Sequence, residues 1–309
     1  MTAKNSVWKP PSAEKGGGTV NEGGIWVPPV AARPSLVKAL VNIIGVSGVG
    51  KSFLMSQLLD DVDYGPEEVF ALMHEDATAA YGPKMLPSRI GSATTPDKAE
   101  AIIDQMSEAH RQGKRLPKVL VWDSVTGMTD YFQTDKEVNP NMVWNEDKKD
   151  FVRDKRSEYG DMGRWAQRLY IKMRDRIPCD VVVLITSYED KYSPKPEIAC
   201  EGKVIPKNIT RWSSCTLYMK AVEGKADPKE VAQEIATCNK PYRSYGYDAN
   251  GELTGTFISR YFVAQNTGEI QAKGHRNLGL TERAILPDVL RKIRGIGVIP
   301  PHIQKENKA

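Results

Sequence analysis

The octapeptide Gly45-Val46-Ser47-Gly48-Val49-Gly50-Lys51-Ser52 constrains this chain more than any other segment. Gly, four residues, then Gly-Lys-Ser is the phosphate-binding loop pattern, and it requires a strand that feeds it and a helix that leaves it. Both are legible, since Leu40 to Ile44 is a strand-like apolar run and Lys51 to Leu59 reads as a helix. The glycines let backbone N–H groups converge on phosphate oxygens, Lys51 reaches the β- and γ-phosphates, and Ser52 offers its hydroxyl to Mg²⁺. All eight residues are therefore candidate nucleotide-binding positions, with Ser52 also a metal ligand. A glycine-rich turn of purely structural origin is the competing reading.

Beyond the loop, strand-like and helix-like blocks alternate. Val69 to Met73, Lys118 to Trp122 and Val181 to Ile185 are apolar runs, and Lys98 to Gln112 places Ile102, Ile103 and Met106 on one helical face. Near-continuous apolar strands are those covered on both faces, so the expected fold is α/β, a doubly wound and mainly parallel sheet flanked by helices. Thr216 to Ala221, Gly255 to Ala264 and Glu269 to Lys273 read as shorter strands, the last two joined as a C-terminal hairpin through Asn266-Thr267-Gly268. Three regions follow: a flexible Pro/Gly-rich arm at 1–34, a core at 35–290 and a tail at 291–309.

A phosphate site of this kind needs a carboxylate for the metal. Val119-Leu120-Val121-Trp122-Asp123 is an apolar strand that ends in Asp, at the carboxyl end where open α/β sheets bind ligands. Asp123 joins Ser52 as the candidate Mg²⁺ pair. Val69 to Met73 lies between the two motifs in the chain and is followed by His74-Glu75-Asp76. Simple P-loop kinases place the Asp strand beside the P-loop strand, whereas ATPases that power mechanical work insert a strand and use a catalytic Glu. Glu75 is the candidate general base that polarises water at the γ-phosphate, with Asp76 as the fallback.

Composition narrows the rest. The chain has 309 residues, 40% hydrophobic and 27% charged, enough for one large domain rather than a disulfide-stapled miniprotein or a disordered tail. Cys179, Cys200, Cys215 and Cys238 form no CxxC pair, so reduced thiols and no cysteine-bound metal are expected. No signal-like run and no membrane span is evident, which gives the expectation of a soluble, cytoplasmic protein without a membrane partner. The net charge of +4 is too small for bulk attraction to nucleic acid, so any polyanion must meet a local patch.

Taken together, Gly45 to Ser52, Glu75, Val119 to Asp123 with Ser124, and the polar strand end Thr186-Ser187-Tyr188-Glu189 resemble the RecA-like ATPases. Within that group the chain is most similar to compact phage-encoded RecA-fold proteins of recombination and single-strand annealing. It shares with them a segment like Trp165 to Arg176, a strand end like Ile185 to Glu189, and a late Lys-x-x-Arg like Lys273-Gly274-His275-Arg276. The resemblance covers roughly residues 38 to 290. Family members usually carry His or Gln at the end of the fourth strand to sense the γ-phosphate, where this chain has Ser187 and Tyr188.

The resemblance implies ATP and Mg²⁺ as cofactors, hydrolysis stimulated by DNA, and residence in the host cytoplasm if the protein is phage-encoded. It also implies a homo-oligomeric ring or filament, in which Lys273 and Arg276 reach the nucleotide of a neighbouring subunit. Single-stranded DNA would lie along 130–176 and 190–207. Residues 147–176 carry ten Lys or Arg against six Asp or Glu, with Arg164, Arg168 and Lys172 on one helical stripe. Tyr131, Phe132, Trp144, Phe151 and Tyr159 supply aromatics for base stacking. The 190–207 segment, with Pro194, Pro196, Pro206 and Gly202, reads as a mobile loop rather than a helix. The competing readings are a translocating helicase or packaging motor on the same core, and a nucleotide-switched DNA-binding protein with little turnover.

Overall fold

The computed structural model describes residues 38–74, 84–86, 89–93, 95–188, 196–200, 202–237, 242–265 and 272–295, together with the backbone of 19–20 and 26–27. The chain divides into two units, 1–37 and 38–309. In the first, β1 (Thr19–Val20) pairs antiparallel with β2 (Trp26–Val27). The second begins with β3 (Leu40–Val46), α1 (Phe53–Leu59), β4 (Val69–Met73), β5 (Ile90–Ser92), α2 (Pro96–Arg111), β6 (Val119–Asp123) and α3 (Val125–Val138). It continues through β7 (Met142–Asn145), β8 (Asp150–Arg153), α4 (Lys155–Arg176), β9 (Asp180–Tyr188), β10 (Glu197–Ile198), α5 (Val204–Trp212) and β11 (Cys215–Lys225). It closes with α6 (Pro228–Thr237), β12 (Arg243–Tyr247), β13 (Leu253–Val263), β14 (Thr281–Arg283) and α7 (Leu286–Arg294).

Ten strands form one mainly parallel sheet, with helices on both faces. Its parallel body has the spatial order β11, β3, β9, β6, β4, β5, and the antiparallel β13 and β12 extend it beyond β11. This is the α/β sheet that the apolar runs foretold. Period-two alternation divides its side chains. One face presents Val41, Ile43, Val121, Val182 and Leu184 to Leu54 and Leu58 of α1 and to Val289 and Ile293 of α7. The other presents Leu40, Ile44, Leu120, Trp122 and Val183 to Ile103 of α2, Met128 of α3, Leu169 and Met173 of α4, and Ile209 of α5.

Strand order brings one correction. A strand does separate the P-loop strand from the Asp strand, but it is β9, not Val69–Met73. β4 pairs with the outer edge of β6. Other differences are local. The long connection after Asp123 is not an open loop: Ser124 caps α3 through Gly127 N–H, and Asp154 caps α4 through Ser157 N–H, both at 3.0 Å. Between the two helices stands the β7–β8 hairpin. In the segment read as a mobile loop, residues 204–207 open α5.

At the C-terminal end the expected Asn266-Thr267-Gly268 turn, and all but the end of the Glu269–Lys273 strand, lie outside the described residues. Lys273 bridges Thr216 of β11. The described C-terminal hairpin is β12–β13 instead. α7 crosses the expected boundary at residue 290, so the core extends at least to Arg294.

That last helix is tied to the floor of the sheet by charge. Arg294 Nε lies 2.8 Å from Oδ2 of the fully buried Asp180, whose Oδ1 accepts from Ala39 N–H at 2.9 Å. Burial pushes the Asp180 carboxyl up despite its cation, so removal of that cation strands a charge in the core. Arg294→Met is expected to cost about 3 kcal/mol, read as a lower urea midpoint. An unchanged midpoint would show that the pair contributes nothing.

Candidate phosphate and metal site

β3 delivers the loop at the carboxyl edge of the sheet, and two glycines turn it. Gly48 and Gly50 have φ of 77° and 100°, a region that residues with a Cβ enter only at a cost. The loop closes on itself through Val49 N–H to the Val46 carbonyl at 3.3 Å, and α1 starts with Leu54 N–H on the Lys51 carbonyl at 3.1 Å. The Lys51 ammonium donates to the Gly45 and Val46 carbonyls at 2.8 and 3.0 Å, which holds its charge over the loop. Ser47 and Gly48 are exposed at the tip.

Ser52 occupies the N-cap position of α1 yet caps nothing with its side chain. Its hydroxyl instead donates to Asp123 Oδ2 at 3.1 Å. The loop and the Asp strand, 71 residues apart in sequence, thus converge on one point. Asp123 is buried at 5% exposure and its carbonyl accepts from His74 N–H at 2.8 Å. Behind it the indole of Trp122 packs against His74, Trp165 and Tyr170 at centroid distances of 6.0, 6.2 and 5.6 Å. Burial pushes the His74 imidazole down to about 4, so it stands neutral against Trp122 at pH 7.

A hydroxyl and one carboxylate are hard oxygen donors. Mg²⁺ takes one or two protein oxygens and fills its octahedron with water and substrate phosphates, so this pair fits it without a protein cage.

Glu75 and Asp76 lie outside the described residues. Parity sorts the polar side chains at the end of β9. In β9 the even positions Val182 and Leu184 face α1, while Val183 and Ile185 face the other layer. Thr186 therefore shares the face of Asp123 and pairs in register with Gly45. Ser187 faces away, bonded to Tyr218 at 2.9 Å. Thr186 is the residue that the sequence reading passed over, and the alternation of the strand was the signal that could have found it.

Lys273 is not brought to this site. Lys273 exchanges backbone hydrogen bonds with Thr216 at 2.9 and 3.0 Å, and its ammonium donates to the Ser213 carbonyl. Thr216 is level with Asn42, roughly 13 Å along β3 from Val46. The basic stripe on α4 is also not a free cationic face. Arg168 pairs with Glu100 at 2.7 Å, Lys172 with Asp104 at 2.8 Å, and Arg164 with Asp161. The carboxylates of α2 absorb the charge that helical spacing alone left available.

The β7–β8 hairpin, in contrast, exposes Met142, Val143, Trp144 and Phe151. Trp144 and Phe151 meet edge-on at 5.3 Å. Its base is pinned to α4, where Glu158 accepts from Arg153 Nη2 at 3.0 Å and from Asn141 N–H at 2.9 Å.

No protein-family model matches this chain. No curated protein matches it. Among solved structures it is similar to an ATPase from the type III secretion system of pathogenic bacteria, at 12% identity and a TM-score of 0.38. The match covers 66% of this chain and spans 58% of the length of that one. A likeness this distant says nothing about chemistry. No helix among the described residues is long and apolar enough to cross a membrane.

The loop geometry makes a prediction of its own. Gly50→Ala forces a Cβ into positive φ and to within 2.7 Å of the Arg260 guanidinium. A loss of about 1–2 kcal/mol is expected, measured by denaturant unfolding. Wild-type stability in the variant would contradict the turn described here.

Proposed function

We propose that this chain is a Mg²⁺-dependent ATPase of the RecA-like kind. The observation that carries the reading is the 3.1 Å contact of Ser52 with Asp123. It joins a complete P-loop to a strand-end carboxylate across one intervening strand, β9. Lys51 and the N–H groups of residues 45–52 hold the β- and γ-phosphates, and Ser52 and Asp123 hold the metal. The metal, when bound, neutralises charge on the phosphate oxygens. Thr186 offers a hydroxyl on the same face, at the strand end between the P-loop and Asp123. Glu75, two residues after β4 in the sequence, is the proposed base for the attacking water, with Asp76 as the alternative.

Lys273 bonds to β11 away from the loop, and the part proposed for Lys273 and Arg276 in hydrolysis is at the nucleotide of a neighbouring subunit, in a ring or a filament. For single-stranded DNA, the exposed aromatics of the β7–β8 hairpin beside Lys148, Lys149, Lys155 and Arg156 are a better candidate than α4. Base stacking plus phosphate neutralisation is how strands are bound without sequence preference.

ATP turnover with and without single-stranded DNA tests both levels. The ATPase reading expects turnover that Lys51→Ala and Glu75→Gln each reduce by roughly 100-fold or more. The DNA reading expects stimulation by the strand that Trp144→Ala and Phe151→Ala together remove. Tight ATP binding without turnover would favour a nucleotide-switched binding protein, and turnover indifferent to DNA would remove the recombination role.

A further inference from the structure

We propose that Arg260, from the C-terminal hairpin, is a positioning residue of the phosphate loop, acting through the carbonyl of Val49; this rests on the reading of that loop as a nucleotide site. Arg260 lies on β13, two strands away from β3, on the face that carries α1. Its register partner is Ala221 of β11, and the neighbouring Phe262 belongs to the same side of the core. From there the side chain spans β11 and reaches the loop. Nε donates to the Val49 carbonyl at 2.8 Å and Nη1 to Ser244 Oγ of β12 at 2.7 Å. The guanidinium also lies 5.7 Å from the Phe53 ring at the start of α1. It therefore touches the loop where Val49 precedes Gly50 and again just after Ser52.

The chemistry gives these contacts a direction. In a phosphate loop the N–H groups turn inward to the anion and the carbonyls turn outward, so a donor that fixes an outward carbonyl fixes the tilt of the following N–H. Val49 is followed by Gly50, the peptide with the least conformational restraint in the loop. A bonded Val49 carbonyl removes that freedom before the ligand arrives, and preorganisation of this kind converts into affinity.

The charge points the same way. No carboxylate pairs with Arg260 among the described residues, although Arg243, Arg291, Arg294 and Lys292 nearby in the chain each have one. Burial holds the guanidinium below its ordinary range. A half-buried cation with no counter-ion among the described residues, beside an anion site, raises the local positive potential, which an arriving phosphate chain offsets. Arg260 thus couples the β12–β13 hairpin to the loop through a contact that spans 211 residues.

Titration of the full chain with Mg·ATP and with Mg·tripolyphosphate, for wild type, Arg260→Met and Arg260→Lys, tests this. The expected result is a roughly tenfold or greater loss of affinity in Arg260→Met, by the same factor for both ligands, because the lost geometry is that of the phosphate cradle. Arg260→Lys keeps the charge but cannot bridge Val49 and Ser244, and it recovers only part of the loss. Wild-type affinity in Arg260→Met, or a loss confined to ATP, would overturn the proposal. If Arg260→Met does not fold, Arg260→Lys decides, and full affinity in that variant overturns it. A wild-type chain that binds neither ligand would instead sink the nucleotide reading itself.

Discussion

Everything at the carboxyl edge of the sheet depends on the insertion of β9 between β3 and β6. Two neighbouring parallel strands are about 4.8 Å apart, so one intervening strand opens roughly 10 Å between the P-loop strand and the Asp strand. The loop must then arch over the gap to bring Ser52 within 3.1 Å of Asp123. The end of β9 brings Thr186 into register with Gly45 of the loop. If the two strands were adjacent, no strand end would lie between the loop and Asp123.

The strands β3, β4, β6 and β9 were legible because buried parallel strands have little freedom of composition: each needs apolar residues on both faces, and each of these four appeared as an apolar run, whereas the short edge strand β5, Ile90–Ser92, did not. Their order was not legible. Strand order is settled by which helix covers which face, and the sequence offered only the succession of Val69–Met73 after the loop, which suggested the wrong neighbour. The end of β9 was not legible for a related reason. Ser187 is adjacent to Thr186 in the chain but faces the other layer, and only the parity that Thr186 shares with Val182 and Leu184 separates the two; Tyr188 shares that parity but lies exposed at the strand end, its hydroxyl on Glu197.

Charge was the least legible property. Helical spacing shows that Arg164, Arg168 and Lys172 share a stripe, but it cannot show that Glu100 and Asp104 lie opposite, 68 residues earlier. The converse holds for Arg260, which is unremarkable as a strand residue and becomes significant only through a contact spanning 211 residues. A basic residue gains meaning from what neutralises it. On α4 that is a neighbouring helix, whereas at the loop no described carboxylate does so. The hairpin β7–β8 falls between these cases: its aromatics are exposed by local geometry, and its base is fixed to α4 through Glu158.

The central claim is that Ser52 and Asp123 hold a magnesium ion for a nucleotide bound in the loop. Calorimetric titration with ATP, in the presence of Mg²⁺ and in its absence, measures this directly for the wild type and for Asp123→Asn. The account predicts that Mg²⁺ strengthens wild-type binding by roughly tenfold or more, and that the variant binds ATP with an affinity nearly indifferent to the metal. Wild-type binding that ignores Mg²⁺, or a variant that keeps the full metal dependence, would contradict it.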